Sequence, residues 1–446
     1  MMTEGVIWKQ LLAFSFPLLI GNLFQQLYNT VDSIVVGNFI GSEALAAVGS
    51  SNPLINLIIG MFLGISTGAG VIISQYYGAR DREKLSWAVH TCVALSIIGG
   101  VLLTVLGILI SPWILTWMGT PPEVMDNSVV YLRVFFGGSL FNLVYNMCAG
   151  TLRAVGDSRR PLLYLCVSSL VNIVLDLAFV VAFRMGIAGV GYATVIAQAV
   201  SACLALRALM KTEEMYRVQL KLVKVDVRMM KRILRIGIPS GLQHSIISLS
   251  NVIVQANINV YGANAMAGFG AYNKIDGFAG LPLQSFAIAA TTFTGQNIGA
   301  KNLKRIKKGI LQGLVISLGY ALLIIPVLSS QTGRILTIFS SEPEVLRYGA
   351  ATMRIMVLFY TTLAVHQILM GTFQGAGKTM VTMLIGVGNM CILRMIYINL
   401  LVPHFPSYEA VIWGYPITWV TTMLMDILYC MRGRWLPRFL TEQADD

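Results

Sequence analysis

Twelve stretches of this 446-residue chain are long and apolar enough to cross a lipid bilayer, and that restricts the fold to a bundle of membrane helices. A spanning helix needs roughly 20 residues to match a hydrocarbon core of about 30 Å. The stretches run approximately over 14–37, 52–77, 87–111, 129–152, 161–183, 188–207, 234–260, 267–297, 309–328, 348–374, 380–402 and 410–431. Each must satisfy its own backbone hydrogen bonds, because hydrocarbon offers no water to do so. Charged residues make up only 12% of the chain, about half the share usual in soluble domains.

The net charge of +12 follows topology rather than a nucleic-acid partner. "GARDREK", "LRAVGDSRRP", the segment 207–235, "AKNLKRIKK", Lys378 and "RGRWLPR" fall on one side of the alternating spans and hold, with Lys9, 25 of the 32 Lys and Arg. The intervening loops "NFIGSEAL", "SPWILTWMGTPPEVMDN", "VYGANAMAG" and "LVPHFPSYEA" hold almost none. The positive-inside rule therefore places both termini in the cytoplasm. The first apolar segment is too long for a cleavable signal and carries Gln26, Asn29 and Asp32, so it is expected to remain as a helix.

The chain also repeats itself at a spacing of about 221 residues. "GSEALAAVG" (41–49) recurs as "GANAMAGFG" (262–270), "SQYYGARDREK" (74–84) as "GQNIGAKNLKR" (295–305), and "GTLRAVGDS" (150–158) as "GTFQGAGKT" (371–379). Pro17 answers Pro239, each set to kink the first helix of its half. Six spans per half is an even number, so both halves share one orientation, and transporters with such parallel repeats bind substrate between them. The expected organisation is an N-terminal six-helix lobe over 1–210, an amphipathic linker on the cytoplasmic lipid surface over 211–233, and a C-terminal lobe with a short tail over 234–446. The fold class is thus all-α, twelve helices in two pseudo-symmetric lobes around a central cleft.

Four acids lie inside spans: Asp32, Asp176, Asp276 and Asp426. Intramembrane charges are costly, and by default they are functional. Asp426 is close enough to Arg432 and the cytoplasmic end to snorkel. Asp276 follows Lys274 and is balanced between pairing with Lys274, Arg354 or Arg394 and a place in the cleft. Asp32 and Asp176 each sit about 15 to 18 residues from the cytoplasmic end, with no basic residue within two turns. Asn172 shares the face of Asp176 at i, i+4. Two such acids titrate as a unit, which suits a proton relay or a sodium site built from Asp32, Asp176 and Asn172. In the repeat Asp176 aligns with Tyr397, so the acid pair belongs to the N-terminal half alone.

Enzymatic readings find no support. "QGAGKT" (374–379) lacks the first glycine and the strand of a phosphate loop, the four histidines form no paired spacing, and no serine sits in a GxSxG elbow. The six cysteines are scattered through apolar stretches, without disulfide or metal spacing.

Together "LYNTVDSIVVG" (27–37), "GSEALAAVG", "SQYYGARD", "LRAVGDSRRP", "VNIVLDLAF", "GIAGVGYAT" (186–194) and "GQNIGAKN" resemble the multidrug and toxic compound extrusion (MATE) family over essentially the whole chain. The similarity is strongest to the branch typified by bacterial DNA-damage-inducible and staphylococcal multidrug exporters. The resemblance implies exchange of organic cations for protons or sodium by alternating access, in the inner or plasma membrane of a bacterium, by a monomer with no cofactor beyond the coupling ion. It marks Asp32 as the first-helix acid, Asn172 and Asp176 as the fifth-helix pair, Thr194 as the sixth-helix threonine, and Tyr131 and Asn146 as fourth-helix members of the same pocket. Gln26, Asn29, Asp276, Lys274, Arg394 and Tyr397 complete the expected cleft. The chain departs from the branch with a seventh-helix acid, since "PSGLQHSIISLSN" has none. The alternative function is a flippase for a lipid-linked oligosaccharide, kept open by Arg133, Arg354 and Arg394.

Overall fold

The protein's architecture was obtained as a computed structural model. It describes residues 1–436, apart from the side chains of 29, 33, 38, 42, 43, 45, 46, 49, 50, 52, 53 and 56. The described residues form helices and connections, with no strand among them. The α-helices are α1 (Ile7–Val35), α2 (Ser42–Gly78), α3 (Arg82–Trp117), α4 (Pro122–Gly137), α5 (Ser139–Ala154), α6 (Arg159–Asp176), α7 (Gly186–Lys211), α8 (Val227–Asn259), α9 (Ala263–Gly299), α10 (Leu303–Ser330), α11 (Thr332–Leu336), α12 (Pro343–Met356), α13 (Tyr360–Gly375), α14 (Thr379–Val387), α15 (Arg394–Leu400) and α16 (Tyr408–Met431). Nine rods among the described residues pass the length and apolarity needed to cross a membrane, and the α4–α5 pair, bent by 45° at Gly138, makes a tenth. The remaining two of the twelve, α8 and α9, are 33 and 37 residues long but more polar. Their polar residues include Ser240, Gln243, Ser250, Ser285 and Thr292, all buried in the protein rather than facing lipid.

The chain divides into two compact units. One comprises Phe16–Ile238, and the other combines Met1–Ser15 with the chain from Pro239 onward. The divisions fall one residue before Pro17 in α1 and immediately before Pro239 in α8, so each half's first helix begins in the opposite unit. These limits differ from boundaries drawn at 210 and 234. The first residues are held by the C-terminal unit through side chains at the basic end. Met2 N–H donates to Gln296 Oε1 at 2.7 Å, and Asn297 Nδ2 donates to Met2 O at 3.1 Å. Arg305 donates to the carbonyls of Met2, Glu4 and Gly5. The linker packs on the first unit. Tyr216 and Val218 are buried in the first unit's core, Gln219 N–H donates to His90 Nε2 at 3.0 Å, and Asp226 N–H donates to Thr91 Oγ1 at 3.1 Å.

The duplication survives in backbone detail at the same spacing of 221. Arg80 and Lys301 both take left-handed conformations, φ 55° and 57°. The next residues cap the following helices: Asp81 Oδ1 accepts from Lys84 N–H and Asn302 Oδ1 accepts from Arg305 N–H. Gly156 and Gly377 take φ 94° and 75° at matching turns. Left-handed backbone costs a side-chain-bearing residue about 1–2 kcal/mol and glycine little. Gly156→Ala and Gly377→Ala are therefore each expected to destabilise the protein by about 1 kcal/mol. Thermal unfolding in detergent checks the pair, and unchanged unfolding temperatures in both variants would contradict it.

Packing is duplicated too. A Cβ on Gly150 would meet Ser66 Oγ at 2.6 Å, and one on the equivalent Gly371 would meet Ala287 O at 2.3 Å. These glycines let helix backbones approach closely, as small residues do where association rests on packing.

Candidate functional site

The N-terminal unit gathers its polar interior around the two acids. Asp32 lies on α1, and Asp176 is the last residue of α6. Both are followed by π-helical turns, Val36–Ile40 and Leu177–Ala182. Such turns disturb the regular hydrogen-bond ladder and recur at functional positions. Asp176 is fully buried, Asn172 is 1% exposed, and Asp32 is half-buried. The carboxyl groups of Asp32 and Asp176 face one another as interacting neighbours. Both Asp176 oxygens, Asp32 Oδ1 and Asn172 Oδ1 are buried without a partner.

Around the acids, Asn172 Nδ2 donates to Thr194 Oγ1 at 3.5 Å, and Thr194 Oγ1 donates to Val190 O at 3.0 Å. Tyr131 on α4 and Tyr28 on α1 both stand within electrostatic reach of the two acids. Tyr28 adds to the residues expected from the sequence. Its signal is the i, i+4 spacing to Asp32, which puts both on one helical face. Beyond the acids, Val35, Val36, Val180, Ile187 and Val190 form an apolar cluster, with Tyr131 packed against it.

The other expected members of this unit, Gln26, Asn29 and Asn146, lie on α1 and α5. Asn146 turns to its own helix, where Nδ2 donates to Asn142 O and Oδ1 at 2.9 Å. Gln26 is half-buried on α1. The side chain of Asn29 lies outside the described residues.

In the C-terminal unit Asp276 pairs with none of Lys274, Arg354 or Arg394. Its Oδ1 accepts from Tyr272 OH at 3.0 Å and Tyr360 OH at 2.6 Å. Lys274 is exposed, with its ammonium over the Phe339 ring at 5.9 Å, because two residues along a helix turns it away from the face of Asp276. Tyr397 OH donates to Ala410 O at 2.9 Å, tying α15 to α16. Asp426 does not snorkel toward Arg432. It is 1% exposed and lies 2.6 Å from His366 Nδ1, a hydrogen-bonded pair between α13 and α16 that a separation of sixty positions conceals in the sequence.

No group of three or more His, Cys, Asp or Glu among the described residues forms a metal centre. The donor set at Asp32, Asp176 and Asn172 consists of oxygens alone, which suits a proton or a hard monovalent cation rather than a transition metal.

The MatE family model matches residues 17–178 and 239–399, one copy on each half of the duplication. The chain belongs to the MatE family. As a MatE member it is a multi-pass membrane transporter and not an enzyme. It is 30% identical to the "Probable multidrug resistance protein YoeA" of Bacillus subtilis, over 94% of this chain and 92% of that one. It is 24% identical to the "Multidrug export protein MepA" of Staphylococcus aureus, over 86% of each. A solved structure of an outward-facing multidrug resistance MATE family transporter superposes with a TM-score of 0.91 at 24% identity, covering 99% of this chain and 98% of that one. The twelve-helix, two-lobe architecture is the MATE fold.

Proposed function

We propose that this transporter exports amphipathic organic cations in exchange for protons or sodium, by alternating access, with Asp32 and Asp176 carrying the coupling ion. The observation that supports this reading is the set of four buried acceptor oxygens on Asp32, Asp176 and Asn172 that no donor in the protein satisfies. Buried polar groups without partners are rare and costly, and this set bears up to two negative charges with no basic residue beside it. A proton shared by the two carboxyls relieves that cost. So does a sodium ion held by carboxylate and amide oxygens, or the positive end of a drug. Ion and drug are then alternative occupants of the same charge, which makes their binding mutually exclusive. Coupling further requires that each favour a different conformation, since equal affinity for both would shift nothing.

The relatives' names support the substrate class, and the positive-inside pattern supports cytoplasmic termini in a bacterial inner or plasma membrane. A monomer exchanging small molecules needs no cofactor besides the ion. The oligosaccharide flippase draws little from the structure: Arg133 donates to Ile108 O, Arg354 is exposed, and only Arg394 is buried.

The test is efflux of a fluorescent organic cation from liposomes holding the purified protein, under a proton gradient and a sodium gradient imposed separately. Flux driven by one gradient and absent without it supports exchange. No flux of any cation under either gradient would overturn the reading.

A further inference from the structure

The C-terminal unit buries a positive charge that nothing in the unit neutralises. Arg394 opens α15, directly after the π-helical turn Gly388–Leu393, and is 1% exposed. Its Nη1 donates to Asn251 Oδ1 and its Nη2 to Thr418 Oγ1, both at 3.0 Å. The guanidinium lies over the Tyr415 ring, 4.2 Å from its centroid. All three partners are neutral. Arg394 Nε has no acceptor at all. No carboxylate among the described residues forms an ion pair with Arg394, and the acid of this interior, Asp276, is held by Tyr272 and Tyr360 instead.

A buried guanidinium is ordinarily matched by a carboxylate, because removing the charge from water costs several kcal/mol. Here two neutral oxygens and one aromatic face stand in for it. The unsatisfied position is the Nε edge: Nε–H is buried without an acceptor, and the neighbouring Nη2 uses one of its two hydrogens on Thr418. That edge is the part of an arginine that grips a carboxylate with two parallel bonds. Asn251, the partner on α8, is exposed, so the guanidinium lies one side chain from an accessible surface. At the 221-residue spacing Arg394 corresponds to Ile173, on the helix that carries Asn172 and Asp176. The duplicated helix therefore presents acid in one lobe and base in the other.

We propose that Arg394, with Asn251 and Thr418, forms a binding site for a small monovalent anion: a halide, or the carboxylate of a larger solute. The anion docks on the Nε edge and supplies the missing negative charge. The proposal holds whether or not Asp32 and Asp176 carry the coupling ion.

The experiment is thermal unfolding of the purified full-length protein in detergent, at matched ionic strength, in sodium gluconate, chloride or acetate. Wild type is expected to gain about 2–4 °C, saturably, in chloride or acetate over the bulky gluconate, as a ligand of the folded state alone must stabilise it. Arg394→Gln should abolish the gain and Arg394→Lys should retain part of it. A gain in chloride alone identifies a free halide. A gain in acetate identifies a carboxylate, and a carboxylate-bearing solute should then outcompete its methyl ester. If Arg394→Gln does not fold, Thr418→Val and a bromide-soaked wild-type crystal replace it, with an anomalous peak expected beside Nε. Equal unfolding temperatures in all three salts, a gain that survives in Arg394→Gln, or no bromide at Arg394 would overturn the site.

Discussion

Asp176→Asn is expected to reduce gradient-driven efflux to the leak level while leaving the protein folded, with an unfolding temperature equal to or above that of wild type. Asp176 is fully buried and both its oxygens lack donors, so the carboxyl contributes no contact that an amide of the same shape would forfeit. A group kept at such cost is explained by what it binds in transit rather than by what it holds in place. The amide cannot take up or release a proton, and it removes one charge from any sodium or drug site. Asp32→Asn should act the same way, and the double variant should be no worse than either single one, because the two acids act as one site. Reconstituted efflux and thermal unfolding, measured on the same preparations, decide the matter. Normal flux in both variants would reassign the acids to structure, whereas lost flux with lost stability would mean that the carboxyl supports the fold.

The largest effect on stability is expected at His366 and Asp426. With Asp426 1% exposed and His366 Nδ1 2.6 Å from its Oδ2, the pair bridges α13 and α16 in the interior of the C-terminal unit. Removing one member strands the other, a loss of about 3–5 kcal/mol for a buried pair. His366→Leu and Asp426→Leu should each unfold at markedly lower temperature than wild type. The double variant should recover most of the loss, since apolar groups that fill the same space can replace a buried polar pair at little cost. A double-mutant cycle in detergent measures the coupling. Additive losses would show that the two side chains stabilise the unit independently.

These two sites also differ in how far they could be read from the chain. Asp32 and Asp176 stood out because each interrupts a long apolar run without a basic neighbour, and Asn172 joined Asp176 by the helical repeat alone. Tyr28 was equally accessible, one turn from Asp32, but an aromatic residue in an apolar span carries no composition signal. For Asp426 the nearby Arg432 suggested the wrong partner. His366 is sixty positions away, and only the rotation of α13 against α16 turns it inward. Asp276 shows the same limit: Tyr272 lies one turn away on its own helix, but Tyr360 is 84 positions distant, and both prevailed over the adjacent Lys274.

What the sequence determined by itself was therefore whatever follows from local composition and period. That includes the spans, the duplication, and which acids lack a neighbour on their own helix. Hydrocarbon forces every spanning segment to satisfy its backbone internally, so the helices are specified one at a time. Tertiary structure decided which helix faces meet. It placed the first fifteen residues with the C-terminal unit, gave Asp276 two tyrosines and Asp426 a histidine, and left Arg394 buried with neutral partners. Such pairings depend on how each helix turns about its axis when packed, and no spacing along a single helix encodes that angle.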